Sequence, residues 1–395
     1  MQFGLTETQQ MLKHEARRFF PSECPIAEVR RLMETDGAYD EALWQKIAQH
    51  GWTGILFDEQ SGGMGLGLVE MAVAAEEMGR ALLPGPYFST VFVAGALLNA
   101  LPEGRALLGP ICEGSARATV ALLEESASWD PAAAAMEWKA DRLTGTKLLV
   151  PDAATADLLL CVARTARTAH SAAGVAAGDL LIAQVCTSAP GVTIRPMPSL
   201  DRTRQLYSVA FDDVQAEVLA RGDVAQAALD RAMDIATVAL AAEMVGGMER
   251  IMELSVEYAK TRKQFGKPIG QFQSVQHQCA DMLLLTESAR SAAYYAAWAL
   301  NEGTADARTA VSVAKAYASD AYREVGNRGI QVHGGMGFTW ESDLHLYFRR
   351  AKASEIAFGD AAFHRERIAR TVVDRGACSR LPAPQEAAGG VSSSM

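Results

Sequence analysis

Apolar positions recur at helical spacing through the first part of the chain, cluster in short runs through the middle, and return to helical spacing towards the end. Residues 1–115 read as helical. Thr6 and Gln9 have the spacing of a capping box, which satisfies the orphan amides of a helix start. Met11, Leu12, Phe19 and Phe20 follow as one mixed face. Residues 40–50 and 68–83 repeat the 3.6-residue apolar period, interrupted by the glycine pair at 62–63 and by Pro84 and Pro86. Between 116 and 221 the texture changes to short runs bounded by turn residues: ATVALLEE, LTGTKLLV (143–150), DLLLCVA (157–163), GDLLIAQV (178–185) and YSVAFDDV (207–214). These predict a β domain. The Ala/Gly-rich piece at 165–178 is expected to be a surface hairpin loop. From 222 to 376 the pattern is helical again, with a long Leu/Met stripe on an Ala-rich background at 227–266, which predicts packing faces rather than a cofactor box. Residues 377–395, poor in large apolar side chains, predict a disordered tail. The expected fold class is therefore α+β, mainly α: an N-terminal helical domain, a central β-barrel or sandwich domain and a C-terminal four-helix bundle.

Length and charge narrow the function classes. A chain of 395 residues can bury a large core and support two or three domains. Its formal net charge of −10 argues against general nucleic-acid binding, which needs a basic excess to meet phosphates. The six cysteines are scattered with no C-x-x-C, so reduced thiols are expected and no disulfide framework or metal site. The start lacks the basic-then-apolar order of a signal peptide. The longest apolar stretch, YFSTVFVAGALLNAL (87–101), is too short to span a bilayer. A soluble, cytoplasmic chain is expected.

No G-x-G-x-x-G follows a predicted strand, so a Rossmann site is not supported. GGMGLG (62–67) reads as a tight loop between helices. Two C-terminal stretches carry more chemistry. In YAKTRKQFGKPIGQFQSVQH (258–277), Arg262 stands at a helix end, where a guanidinium can meet a pyrophosphate bidentately. Phe265 offers a ring face and Gln273 an amide. The alternative is a basic helix C-terminus complementing its dipole. In QVHGGMGFTWESDLHLYFRRAK (331–352), Gln331 can reach an adenine or phosphate. Gly334 and Gly335 allow close backbone approach, and His333 reads as structural.

These two stretches, with GGMGLGLVEMAVAAEEMGR (62–80) and AKAYASDAYREVGNRGIQVHGGMGF (314–338), resemble the acyl-CoA dehydrogenase family over nearly the whole chain. The resemblance implies dimers or tetramers, FAD bound between protomers, and α,β-dehydrogenation of an acyl-CoA thioester. A carboxylate removes the α-proton, the β-hydrogen passes to the flavin, and an electron-transferring flavoprotein takes the electrons. It further implies that the β domain and base of one protomer hold each flavin ring. The ADP half falls to the neighbour's Arg, Phe, Gln and Gly residues, here Arg262, Phe265, Gln273, Gln331, Gly334 and Gly335.

Aligned on Arg349 and Lys352, the family's catalytic glutamate falls on Phe358, within SEIAFGDAAFH (354–364). The alternative base position, on the first long helix of the bundle, falls on Ala236, and the neighbouring CoA-contacting Arg on Thr237. The family's T-E-P-x-A-G-S-D stretch aligns with LEESASWD, Leu123 to Asp130, keeping Glu124, Ala127 and Asp130 but losing the Thr and Ser hydroxyls. Its W-I-T aligns with Leu149, Val150 and Pro151, and a proline has no amide to donate. The donated ADP set is thus kept while the set acting on the chain's own flavin is lost. The expectation is the half-site subunit of a heteromeric acyl-CoA dehydrogenase, paired with an intact homologous subunit; the resemblance points to bulky substrates such as steroid side-chain thioesters. Two alternatives stand beside it. One is a self-sufficient homomer with a displaced base, Asp360 or, less well placed, Glu243. The other is a non-enzymatic binding relative.

Overall fold

A computed structural model describes residues 4–165 and 178–374. The expected hairpin loop at 165–178 falls almost wholly, and the expected tail at 377–395 wholly, outside the described residues. The chain opens with helices α1 (Glu7–Glu23), α2 (Ile26–Leu32), α3 (Glu41–Gln49) and α4 (Leu68–Arg80). An eight-residue π-helical run (Phe88–Gly95) then leads into α5 (Ala96–Asn99) and, further on, α6 (Leu108–Cys112). The capping box is present: the Thr6 hydroxyl accepts from the Gln9 amide and the Gln9 side chain accepts from the Thr6 amide. GGMGLG is the loop that enters α4, with Gly67 at its N-cap.

Eight strands follow: β1 (Ala118–Ala121), β2 (Glu137–Lys139), β3 (Arg142–Pro151), β4 (Leu158–Thr165), β5 (Leu180–Cys186), β6 (Val192–Met197), β7 (Leu206–Gln215) and β8 (Glu217–Arg221). They form one sheet in the order β6-β7-β3-β2-β4-β5-β8, with β1 parallel to β4 off that path. In β4 the side chains alternate between two cores. Leu160 and Val162 join the helices, whereas Leu159, Cys161 and Ala163 join Leu143, Val209 and Phe211 across the sheet. Burial on both faces is why DLLLCVA reads as an unbroken apolar run.

The remainder is α7 (Gly222–Thr261), the small hairpin β9 (Lys263–Gln264) and β10 (Lys267–Pro268), α8 (Gln273–Glu302), α9 (Ala307–His333), α10 (Leu344–Ile356) and α11 (Ala361–Ala369). The long stripe of α7 packs on α4 at a close crossing. A Cβ on Gly246 would lie 1.7 Å from the Glu76 carbonyl oxygen, so only glycine lets the two backbones meet there. The architecture is the mainly helical one expected, with the sheet following the first set of helices and preceding the second along the chain. Among the described residues no helix is long and apolar enough to cross a membrane.

Candidate functional site

The two C-terminal stretches meet at one end of the bundle. Arg262 is the C-cap of α7, its backbone N–H donating to the Tyr258 carbonyl. The Tyr258 ring stacks on His333, the last residue of α9, with centroids 4.5 Å apart and planes at 24°. That contact brings the end of α7 to the glycine turn after α9. His333 Nδ1–H donates to the Gly329 carbonyl at 2.8 Å, and burial lowers its pKa, so the imidazole is neutral and structural. The β9–β10 hairpin turns through Phe265 (φ 52°) and Gly266 (φ 80°), both left-handed as such a two-residue turn requires. A phenylalanine at that position is strained, and Phe265 is 91% exposed. Arg262, Gln273, Gln331, Gly334 and Gly335 are exposed too. The Arg262 guanidinium has no hydrogen-bond or ion-pair partner among the described residues. No atom lies within 4 Å of where a Cβ on Gly334 or Gly335 would sit, so that backbone is open to a ligand. The surface fits the ADP half of a dinucleotide: an unpaired guanidinium, two amides, an open glycine turn and a projecting ring.

The second cluster, part buried and part at the surface, lies where three parts of the chain converge. The stretch from Ser354 to His364 is the turn from α10 to α11. Phe358 (φ 58°) and Gly359 (φ 94°) both adopt the left-handed conformation, a costly one for phenylalanine that persists only where the surroundings enforce it. Fully buried Lys315 on α9 donates to the carbonyls of Glu355 (3.1 Å) and Gly359 (2.9 Å) and to the Ser319 hydroxyl (3.0 Å). His364 Nε2–H donates to the Phe358 carbonyl at 3.0 Å; burial drops its pKa to about 3, so the imidazole is neutral. The Phe358 ring is directed at Trp129 (centroids 5.0 Å) and Phe88 (5.8 Å). Asp360 is the N-cap of α11, its carboxylate accepting from the Phe363 amide at 2.8 Å.

Burial lowers the Lys315 pKa from an ordinary 10.5 to about 7, against the pull of Asp360 and Glu355. The unfolded chain therefore holds this proton to higher pH than the folded one, so this residue makes stability rise with pH between about 7 and 10.5. Lys315→Met is expected to flatten the rise of unfolding free energy across that window in denaturant titrations. Equal slopes in both proteins would contradict it.

Beneath the aromatic contact lies a charge network. Arg350 donates from Nε to Asp201 (2.5 Å), from Nη1 to Glu243 (2.6 Å) and from Nη2 to Thr203. Arg204 holds the other Glu243 oxygen and lays its guanidinium over the Phe88 ring, 4.3 Å from the centroid. Asp152 accepts from the Ser89 hydroxyl at 2.6 Å; burial raises its pKa to about 6. In the sequence, Arg350 stands out only as part of the alignment anchor Arg349–Lys352. Its partners lie on other elements, and no local pattern signals them.

The flavin-ring half does not fit this chain. Glu124 is taken up by Lys147 (2.5 Å) and by the amides of Ala135 and Met136. Asp130 caps its own turn through the Ala132 amide. The Leu149 amide points at the Met197 thioether, 3.5 Å away, and Pro151 has none to offer. Ala236 is fully buried and Thr237 bonds back to the Met233 carbonyl.

Residues 6–101 match the family model of the acyl-CoA dehydrogenase N-terminal domain, and residues 225–373 that of its C-terminal domain. The acyl-CoA dehydrogenase IpdE2 of Mycobacterium tuberculosis is 31% identical over 355 residues, 88% of this chain and 92% of that protein. Among solved structures, a variant of the Tcur3481–Tcur3483 steroid ACAD is 31% identical with a TM-score of 0.82, covering 94% of this chain and 99% of that one. The ChsE4–ChsE5 complex from Mycobacterium tuberculosis is 26% identical with a TM-score of 0.82, covering 97% and 100%. Both terminal domains and a fold shared almost end to end place the chain in the acyl-CoA dehydrogenase family, FAD-dependent oxidoreductases acting on acyl-CoA.

Proposed function

We propose that this chain is the half-site subunit of a heteromeric acyl-CoA dehydrogenase. It lends ADP-side contacts to a flavin whose ring and catalytic base belong to a homologous subunit. The observation that carries the reading is Phe358. An apolar ring packed on Trp129 stands at the position assigned to the base, in a chain whose outward-facing ADP set is intact. A ring cannot accept a proton, and a positioned base contributes about 10²–10⁴-fold. When bound, FAD would supply the hydride acceptor for dehydrogenation at the thioester's β-carbon. This chain's part is to hold the dinucleotide: Arg262 on the pyrophosphate, Phe265 and the glutamines around the nucleoside, the Gly334–Gly335 backbone against the phosphates. Electrons leave to an electron-transferring flavoprotein. Two of the matched structures, the Tcur3481–Tcur3483 steroid ACAD and the ChsE4–ChsE5 complex, each pair two components, which supports pairing with a second subunit; the steroid class of the first supports a bulky thioester as substrate.

The displaced-base alternatives fare worse geometrically. Glu243 is clamped between two guanidiniums, and Asp360 spends its carboxylate on a helix cap. Asp360→Ala is expected to cost about 1 kcal/mol of stability and to leave turnover of the complex unchanged. Abolished turnover in a folded variant would make Asp360 the base.

The direct test is to assay thioester oxidation by the chain alone and co-expressed with a homologous subunit that keeps the glutamate. Turnover only with the partner is expected. Full turnover by the lone chain would overturn the reading.

A further inference from the structure

The contact between Phe358 and Trp129 has consequences beyond a missing base. The two rings occupy positions at which the resemblance expects a carboxylate and a serine hydroxyl, and they touch each other. Centroids lie 5.0 Å apart and planes at 32°. Phe88 continues the series at 5.8 Å and 48° from Phe358, with Phe92 edge-on behind it at 5.6 Å. On Phe88 rests the Arg204 guanidinium, fixed by Glu243. Each participant comes from a different part of the chain. Phe88 opens the π-helical run of the N-terminal helices. Trp129 lies between β1 and β2, and Arg204 just before β7. Phe358 sits in the α10–α11 turn and Glu243 on α7.

Resting on the half-site reading, we infer that the former reaction cleft has become an interdomain latch. The series Arg204–Phe88–Phe358–Trp129, half-buried at its Phe358 and Trp129 end, bridges the β domain and the helices and closes this position to an isoalloxazine ring and to the acyl end of a thioester. Three independent features carry this. Aromatic rings in tilted contact at these distances attract one another and exclude water from their shared surface. A guanidinium over a ring adds a cation–π contact. The strained left-handed Phe358 backbone is held by hydrogen bonds from Lys315 to Gly359 and from His364 to Phe358, which aim the ring inward instead of letting the turn relax. Polar groups of the same region, the Glu124 carboxylate and the Leu149 amide among them, are bonded within the chain, so a flavin ring entering here would find them occupied.

The test is a double-mutant cycle on the lone chain. Trp129→Ala and Phe358→Ala are each expected to lower the melting temperature by about 2–5 °C, and the double variant to lose clearly less than their sum, because each ring's loss already removes the shared contact. If the double variant does not fold, Trp129→Phe and Phe358→Leu give the same cycle with milder changes. Strictly additive losses would overturn the latch. So would binding of FMN or octanoyl-CoA to the wild-type lone chain, with a fluorescence change absent from Trp129→Phe. The half-site reading fails separately: a lone chain that oxidises thioesters sinks that reading, whereas an additive cycle in an inactive lone chain sinks only the latch.

Discussion

Arg262→Ala in the assembled enzyme is expected to weaken FAD binding by roughly 10- to 100-fold, the worth of charge-assisted hydrogen bonds to a pyrophosphate. The lone chain should be indifferent. The Arg262 side chain is exposed and has no hydrogen-bond or ion-pair partner among the described residues, so its melting temperature should not move. Arg262→Lys should recover only part of the affinity, because a point charge replaces a planar fork. Flavin absorbance retained after gel filtration, titrated against added FAD, reads all three proteins. Unchanged FAD affinity in Arg262→Ala would mean that the exposed set at the end of α7 does not face the cofactor.

The second large effect concerns stability. Arg350→Met removes the cation that pairs with Asp201 and Glu243 in a fully enclosed site, leaving two buried carboxylates facing each other's field with only Arg204 between them. Breaking a buried pair from one side costs about 3–5 kcal/mol. The variant is therefore expected to unfold at much lower denaturant and to accumulate poorly. Adding Asp201→Asn to Arg350→Met should recover a substantial part of the loss, since the uncompensated Asp201 charge disappears with its partner while Glu243 keeps Arg204. A single variant as stable as the wild type would show that this network does not join the loop before β7 to the bundle.

Much of the architecture was legible because its periodicities are strong. DLLLCVA and GDLLIAQV read as strands because β4 and β5 bury both faces. The α7 stripe read as packing because it lies against α4, α8 and α9. The glycine pair within it marks the close crossing rather than a break. Three strands of the main sheet were not anticipated, and neither was the small β9–β10 hairpin. β6 carries Pro196 and lies mostly exposed at one edge of the sheet, where a missing amide is tolerated. β8 lies at the other edge, and β2 spans three residues.

Of the candidate surface cluster, residue type marked Arg262 at a helix end, glycines after His333 and an aromatic ring at a break, whereas their assignment to the ADP half of a flavin came from the resemblance. The interior was not so marked. Lys315 and His364 act through backbone carbonyls of the α10–α11 turn, and Arg350 gathers partners from the loop before β7 and from α7. Trp129 looked like one loss in a degenerate stretch until the fold set it against Phe358. Contacts made by tertiary approach leave no spacing to read in the chain.

The central claim is that this chain serves a flavin without holding one of its own. Native mass spectrometry of the complex, with the lone chain alongside, counts FAD directly. The account predicts one FAD for each pair of unlike chains and none retained by the lone chain. One FAD for every chain, in either preparation, would contradict it.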